Sequence, residues 1–424
     1  MPKNKSKRGK GRLVELHSDD ESINDNASII SMQSDECGGS LEDAPEDVGS
    51  VAERYEEKFM MALENCSEKS IQTRVTALQS ASEILMLRFM PDTVDDRKMT
   101  LIDIIDKSLR RGKGAEQANA AKMAPLLSIQ LAGDDLIPKG LNQTLIVTAQ
   151  DNSVSYEARA KCCSALGLIN FLSEDNIGDI LSHMKNFESI FCGSFLKGDN
   201  TPSSASAEAA ALHSAALGAW SLLLTLLPPG DFVSFMKERT LLPSLPNLMG
   251  MLRSPHLEVR MAAGEAIALA LECGRVHDEE FMDEHLPELI EMTKQLATDS
   301  NKFRAKRDRK TQRATFRDVL RYIEEEVSPE INVKFGKETL VLNTWSIHHQ
   351  YTAVCTAIGS GITIHLAEND FLRDVLQLGE KIITIGGVAT KQSKLEKHLI
   401  NAAAFKARTI SRSKHRDKRS AVIN

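Results

Sequence analysis

The clearest sign of architecture in this chain is the stretch ARAKCCSALGLINFL, which runs from Ala158 to Leu172. After Arg159, small and branched apolar residues recur at spacings of three and four, as on a helix that packs one face on a core. The stretches TRVTALQSASEIL, from Thr73, and VRMAAGEAIALALE, from Val259, repeat the pattern, and each places an arginine three residues before a small residue. The repetition predicts a chain assembled from copies of one helical unit.

The spacing of the copies indicates the kind of repeat. With two weaker copies aligned, equivalent positions fall at Arg74, Ala118, Arg159, His213 and Arg260, in steps of 44, 41, 54 and 47 residues. Steps of this size, with one helix pair each, are typical of HEAT and armadillo repeats. We therefore predict an all-α, armadillo/HEAT-like helical repeat solenoid, and an irregular helical bundle is the alternative. Each arginine is expected at the start of the second helix of its pair, where it can reach an acid of the adjacent repeat.

Composition divides the chain into four parts. Residues 1–50 are polar and are predicted to be a disordered tail, first basic and then acidic. Residues 51–327 are predicted to hold the repeats and to end in a basic helix, 302–321. Residues 328–392 are predicted to form a small C-terminal α(+β) domain, with a short hairpin and two helices broken at Gly359–Gly361. A C-terminal helix and a basic tail are predicted for residues 393–424.

Charge is distributed unevenly along a chain whose formal net charge is −7. Residues 1–12 carry six cations and no acid, and residues 13–57 carry fourteen acids and one arginine. From Asp299 to the end there are 23 cations and 14 acids. A basic end on an acidic protein indicates a polyanionic partner.

Sequence motifs of enzymes are absent from the chain. There is no GxxxxGK[ST], no GxGxxG after a strand, no HExxH and no GxSxG, so we predict no catalytic residue, no cofactor and no small-molecule substrate. His348 and His349, with Cys355 or His365, are read as structural residues rather than as a zinc site, so no metal is predicted.

The sequence also favours a compartment. No secretory signal is visible, and the apolar patch AWSLLLTLLPP (219–229) is too short to span a bilayer. We therefore expect a cytoplasmic protein with no membrane contact, and nuclear localisation stays open as well.

The most unusual local feature is the basic stretch NKFRAKRDRKTQRATFRDVLRYIEEE, residues 301–326. On a helix, six of its cations fall on one continuous stripe, three more broaden the stripe, and four apolar residues form a face that docks on the last repeat. The stripe comprises Lys302, Lys306, Arg309, Arg313, Arg317 and Arg321. The cations that broaden it are Arg304, Arg307 and Lys310. The apolar residues are Phe316, Val319, Leu320 and Ile323. Because like charges repel along such a helix, we predict that a nucleic-acid backbone binds the stripe, and an ordinary solvated face is the alternative. The acids at 324–326 have the unfavourable sign for a helix C-terminus and are unexplained by the sequence.

A second basic stretch, FKARTISRSKHRDKRS, spans residues 405–420. Its predicted nucleic-acid-binding residues are Lys406, Arg408, Arg412, Lys414, Arg416, Lys418 and Arg419. In water such a segment is expected to be largely disordered and to fold against RNA. A nuclear import signal is an alternative that is compatible with RNA binding. Ser411 follows Arg408 at a spacing that basophilic kinases favour, so it is a candidate regulatory phosphosite whose phosphate would weaken anion binding.

Four segments together carry a resemblance over nearly the whole chain. They are the MPKNK opening, RKMTLIDIIDKSLRRGKGAEQ (97–117), LATDSNKFRAKRDRKTQRATFRDVLR (296–321) and NAAAFKARTISRSKHRDKRSAV (401–422). In these segments the chain resembles the interferon-related developmental regulator family. It departs from the family pattern at Ile410 and Ser411, where the family tends to have Lys-Ala, and at His415, where Cys is common.

The resemblance implies an armadillo-like domain, a family-specific C-terminal domain and one of two functions. In the first, the protein binds the ribosome through rRNA, and its basic C-terminal segments occupy tRNA and mRNA space, so that translation is inhibited and the ribosome is kept idle. In the second, it is a nuclear transcriptional co-regulator, a scaffold for histone-deacetylase-containing co-repressor complexes during differentiation. Two cationic segments fit the first function better, since rRNA is recognised largely by shape and by its phosphates.

Overall fold

The computed structural model describes residues 48–173, 176–238, 242–299, 305–379 and 381. Several predictions concern residues outside these ranges: the binding residues Lys302 and Arg304, the C-terminal helix, and the basic tail with its candidate phosphosite Ser411. The predicted N-terminal tail, residues 1–50, also lies outside them except for residues 48–50, which begin the first helix.

Helix pairs follow one another along the described chain. The first helices of the pairs are α1 (Val48–Asn65), α4 (Lys98–Arg111), α6 (Leu136–Gln150), α8 (Ile177–Phe191), α11 (Leu245–Met251) and α13 (Leu286–Thr298). The second helices are α2 (Ile71–Leu87), α5 (Ala115–Gln130), α7 (Tyr156–Ser173), α9 (Ala207–Leu224), α12 (Leu257–Arg275) and α14 (Lys306–Glu325). Short helices α3 (Pro91–Asp95) and α10 (Pro229–Glu238) and 3-10 turns at Cys192–Ser194 and Asp283–His285 lie between them.

The second helices form a continuous row. Along the order α2, α5, α7, α9, α12 and α14, each helix contacts the next, and each first helix packs on the second helix of its own pair. The predicted all-α helical repeat solenoid is therefore confirmed. The five aligned sequence positions lie near the start of second helices, at the fourth residue of α2, α5, α7 and α12 and at the seventh of α9.

Small residues let neighbouring second helices approach closely. A Cβ atom added to Gly167 of α7 would lie 2.7 Å from the Cβ atom of Ala219 in α9, closer than two carbon atoms can pack. This close approach explains why small residues recur in the repeated sequence pattern.

The first two of the three aligned arginines have different partners. Arg74 donates to the carboxylate of Glu116 on the next second helix at 2.6 and 2.8 Å, which confirms the predicted acidic partner. Arg159 donates instead to the carbonyl oxygen of Ala149 at 2.8 Å, so the prediction of an acid is wrong at this repeat. A main-chain carbonyl at a helix end has no partner within the helix, so it can accept a hydrogen bond from the arginine as a carboxylate does.

The chain after α14 begins with the predicted hairpin. Strands β1 (Ile331–Phe335) and β2 (Glu338–Leu342) are antiparallel, with Val333 opposite Leu340. Gly336 in the two-residue turn has φ 53°, a conformation that glycine adopts without steric cost.

Three helices follow the hairpin and return along the solenoid. They are α15 (Trp345–Ile358), α16 (Ile362–Glu368) and α17 (Asp370–Val375), with the predicted break at Gly359–Gly361. We call residues Trp345–Val375 the return segment. Helix α15 contacts α12, α9, α7, α5 and α2, and the turn Gly359–Gly361 and α16 contact α2. The return segment therefore joins the last repeats to the first.

The start of the return segment is fixed by a carboxylate of the solenoid. Glu272 of α12 accepts hydrogen bonds from the main-chain amides of Trp345 at 2.7 Å and Ser346 at 2.8 Å. These amides lie in the first turn of α15, where they have no partner within the helix, and the negative charge is favourable at that end.

The far end of the return segment caps two solenoid helices. The His365 side chain donates from Nε2 to the Leu85 carbonyl oxygen at 3.1 Å, at the C-terminal end of α2. The Asn369 side chain donates from Nδ2 to the Ile129 carbonyl oxygen at 2.8 Å, at the C-terminal end of α5. Helix ends leave such carbonyls unsatisfied, so the return segment completes the hydrogen bonding of the first repeats.

By length and composition, one described helix would be able to cross a membrane. Helix α9 holds 18 residues with a mean hydropathy of 1.2, and 61% of it is buried inside the protein. Residues 219–224 of the apolar patch form the last part of this helix, and residues 225–228 follow it. Contacts of α9 with α7, α8 and α12 explain its composition as that of a core helix.

Candidate nucleic-acid interface

Helix α14 is the second helix of the last described repeat and is anchored by an apolar face. Phe316, Val319 and Ile323 are buried, as predicted, and Leu320 is half-buried. The ring of Phe316 lies directly over Gly264 of α12, where an added Cβ atom would be 2.8 Å from Cε1. Glycine at this position allows α14 to pack closely on α12.

A buried polar contact also fixes the rotation of α14. The Gln312 side chain, which is 1% exposed, accepts hydrogen bonds from Arg260 Nη2 at 2.6 Å and Nε at 3.1 Å. It also donates to the Leu296 carbonyl oxygen at 3.2 Å. Sequence reasoning missed Gln312, although its spacing of four from Phe316 places it on the apolar face of the helix.

Most cations of α14 lie outside this anchored face, and two lie at its border. Lys306, Arg307, Lys310, Arg317 and Arg321 are exposed, and Arg309 and Arg313 are half-buried. The structure thus brings together seven of the nine predicted binding residues of this stretch on one helix, while Lys302 and Arg304 lie outside the described residues.

Most of these cations are not neutralised by nearby acids. Arg321 pairs with Glu325 at 3.3 Å. Within the described ranges, no ion pair is formed by Lys306, Arg307, Arg309, Arg313 or Arg317. These five residues span three turns of one helix, so they create a positive field that attracts polyanions.

Arg309 and Arg313 are held partly inside the protein surface. The Nε atom of each is buried and has no hydrogen-bond partner among the described residues. Partial burial weakens the screening of a charge by water, so an anion beside these guanidinium groups is attracted more strongly than beside a fully hydrated one.

The acids at the C-terminal end of α14 are explained by their partners. Glu324 binds Lys294 of α13 at 2.8 Å, and Glu326 binds Arg275 of α12 at 3.1 Å. With the Arg321–Glu325 pair, all three acids are engaged in ion pairs with neighbouring cations. Two of these pairs connect the helix to the solenoid, and the cations of α14 that form no ion pair within the described ranges are Lys306, Arg307, Arg309, Arg313 and Arg317.

The histidines considered as metal ligands make structural contacts instead. His348 donates to the Pro329 carbonyl oxygen and His349 to the Gly218 carbonyl oxygen, both at 2.8 Å. Burial lowers the pKa of His348 and His365 below the ordinary histidine value, which favours the neutral form of both rings. No cluster of three or more His, Cys, Asp or Glu side chains suited to a metal occurs in the described ranges.

The fold and this surface define a helical-repeat protein that presents a cationic helix on its last described repeat. A family model described as "Interferon-related developmental regulator" matches residues 26–324, and one described as "Interferon-related protein conserved region" matches residues 369–420. The chain belongs to the interferon-related developmental regulator family.

Curated relatives match over almost the full length. The chain is 40% identical over 409 residues to interferon-related developmental regulator 2 of Mus musculus, covering 93% of this chain and 89% of the relative. It is 37% identical over 421 residues to interferon-related developmental regulator 1 of Mus musculus and 36% identical over 421 residues to that of Homo sapiens, each covering 98% of this chain and 92% of the relative. The relatives are named as developmental regulators, which is consistent with the expectation of a protein that is not an enzyme.

Proposed function

We propose that this protein is a non-enzymatic ribosome-binding factor, which inhibits translation by placing basic C-terminal segments in tRNA and mRNA space. The observation that carries the proposal is the row of cations on α14 that form no ion pair within the described part of the chain. The binding of RNA phosphates to such a surface is favourable, because counterions are released from the RNA.

Each part of the molecule has a role in this mechanism. The solenoid is a spacer that holds α14 against rRNA, where the cations from Lys306 to Arg317 contact phosphates. The basic tail, residues 405–419, enters a channel that mRNA or tRNA would otherwise use, and it folds against RNA there. Inhibition is steric and electrostatic, so it needs no cofactor and no catalytic turnover. The expected compartment is the cytoplasm, with nuclear entry through the same basic tail.

The alternative of a nuclear scaffold for histone-deacetylase-containing complexes requires a surface for protein partners. The row of second helices, which solenoids often use for partners, is contacted in this chain by its own return segment. No observation on the described residues favours this alternative over RNA binding.

The test is charge reversal on the exposed part of α14, with Lys306→Glu, Arg307→Glu and Arg317→Glu combined in the full-length chain. We expect the variant to leave the monosome fraction in sucrose gradients of cell lysate, while the parent protein co-sediments with monosomes and is released by salt. Three lost phosphate contacts are expected to lower the slope of log affinity against log salt by about 2–3 units.

The matched control reverses three exposed lysines elsewhere on the solenoid, Lys69→Glu, Lys113→Glu and Lys161→Glu. It changes the net charge equally and is expected to leave sedimentation with monosomes nearly unchanged. If both triple variants behave like the parent protein, the proposed function is wrong. If both lose the ribosome equally, the helix has no special role.

A further inference from the structure

The outer side of the first repeat carries an open groove between α1 and α2. Its volume is about 640 Å³. Helix α1 contributes Tyr55 and Met61 to its lining, and α2 contributes Ala77, Ile84 and Leu87. Lys58, Gln72 and Glu83 are among its polar lining residues, and most of the surface inside the groove is apolar.

The groove lies on the side of α2 that faces away from the rest of the solenoid. Arg74 and the Leu85 carbonyl oxygen contact α5, whereas Thr73, Thr76 and Ser80 line the groove on the other side of the helix. Terminal repeats of solenoids need a polar outer face because no neighbour covers them. Polar side chains border the groove here, but Met61 is 62% exposed beside them and presents an apolar surface that no described residue covers.

We infer that the groove is the docking site of residues 27–33 of this same chain, ASIISMQ, which cap the first repeat. This run contains Ile29, Ile30 and Met32, three apolar residues within four positions, between the acids Asp25 and Asp35. Burying three such side chains against an apolar groove is favourable by the hydrophobic effect.

The connection to α1 makes this segment the nearest available cover. Fifteen residues lie between Met32 and Val48, where α1 begins. Extended, they reach about 50 Å, and the groove begins within the first turns of α1, at Tyr55. A short tether of this kind gives an effective concentration on the order of 1 mM, so even weak contacts keep the segment bound.

The extent of the family match supports the same segment. The match begins at residue 26, which is 22 residues before α1, and continues to residue 324. A region shared by the family that begins so far ahead of the first helix is expected if residues just after 26 pack on the fold. The other apolar run of the N-terminal part, LVEL at 13–16, lies before the match and farther from the groove.

The test is a double-mutant cycle in the full-length chain, with Ile30→Glu in the segment and Met61→Glu in the groove. The readout is hydrogen–deuterium exchange of the amides of α1 and α2. Each single variant is expected to exchange about tenfold faster in these helices, because local opening becomes easier. If the two residues touch the same interface, the double variant is no faster than the singles, whereas independent effects would multiply to about 100-fold.

Two controls match the variants in chemistry. Leu16→Glu places the same charge in the run before the family match, and Val276→Glu places it on a residue that is 74% exposed after α12. Both are expected to leave exchange in α1 and α2 unchanged. An Ile30→Glu variant without effect, or fully multiplicative effects in the cycle, would overturn the inference. Loss of a dimer on Met61→Glu, measured by sedimentation, would also overturn it by making a second copy the occupant.

Discussion

The first and the last described repeats of the solenoid have different outer surfaces. Each terminal repeat lacks a neighbour on one side, so its outer surface is open to water. The first repeat presents an apolar groove there, lined by Met61 and Leu87. The last described repeat presents the cations of α14 and buries the face of that helix that meets α12 and α13. The first surface is stabilised by cover from protein, while the second is stable in water and is suited to an RNA backbone.

The aligned arginines of the first and fifth repeats, Arg74 and Arg260, also have different hydrogen-bond partners. Arg74, near the first end, is paired with the carboxylate of Glu116. Arg260, near the last end, donates to the neutral amide of Gln312. Gln312 in turn donates to the carboxylate of Asp299 at 3.2 Å, so at this end the side chain that α14 contributes is neutral and the nearby acid follows α13.

The largest expected effect is the loss of the anchor at the last end. Phe316→Ala removes a ring that is 0% exposed and leaves a cavity over Gly264, so the free energy of unfolding is expected to fall by about 3–5 kcal/mol. Denaturant unfolding measures this change. Leu320→Ala, at a half-buried position of the same helix, is the control and is expected to cost less. A loss below about 1 kcal/mol for Phe316→Ala would mean that this ring does not hold α14.

A smaller effect is expected from the buried charge at the first end. Arg74→Met leaves the carboxylate of Glu116, which is 3% exposed, without its partner. Breaking a fully buried pair costs about 3–5 kcal/mol; Arg74 is 22% exposed, so we expect about 2 kcal/mol in the free energy of unfolding. Adding Glu116→Gln should restore most of the loss by removing the unpaired charge. Failure of this rescue would show that the arginine acts through packing instead.

The smallest expected effect is a pH dependence at the contact between the return segment and the first repeat. Burial lowers the pKa of His365 below its ordinary value of 6.5. The unfolded chain therefore binds this proton at a higher pH than the folded protein does, and the stability present above about pH 6.5 is lost as the pH falls below that value. His365→Gln keeps a donor for Leu85 and should flatten the change in stability between pH 7.5 and 5.5 by about 1 kcal/mol.

Melting temperatures of the two proteins at both pH values measure the difference. His183, His213 and His348 also have lowered pKa values and remain in both proteins, so they cancel in the comparison. Equal pH dependence of parent and variant would mean that His365 is not buried in solution as it is in the structure.

The repeats were predictable from the sequence because each copy is a local pattern. Apolar spacing identifies a helix face within about fifteen residues, and the repeated arginine aligns one copy with the next. The cationic stripe and the anchor of α14 follow from the same periodicity, and Phe316, Val319 and Ile323 are buried as that periodicity requires.

The unpredicted features depend on contacts between distant residues. Nothing near Glu272 in the sequence indicates that its carboxylate binds the first turn of α15, 73 residues away. The acids at the end of α14 look unfavourable when the helix is considered alone, and only the positions of Lys294 and Arg275 on other helices explain them. The prediction of an acidic partner for Arg159 was wrong because the side chain donates to a main-chain carbonyl group, that of Ala149.

The return segment also changes how this solenoid is expected to fold. In an open repeat array each repeat contacts only its neighbours, so folding can start anywhere and the ends open independently. Here His365 binds the Leu85 carbonyl across 280 residues of sequence. Contacts of such high sequence separation form late and slow the folding reaction. Once formed, they couple the first repeats to the last, so the array is expected to unfold as one cooperative unit rather than from its ends.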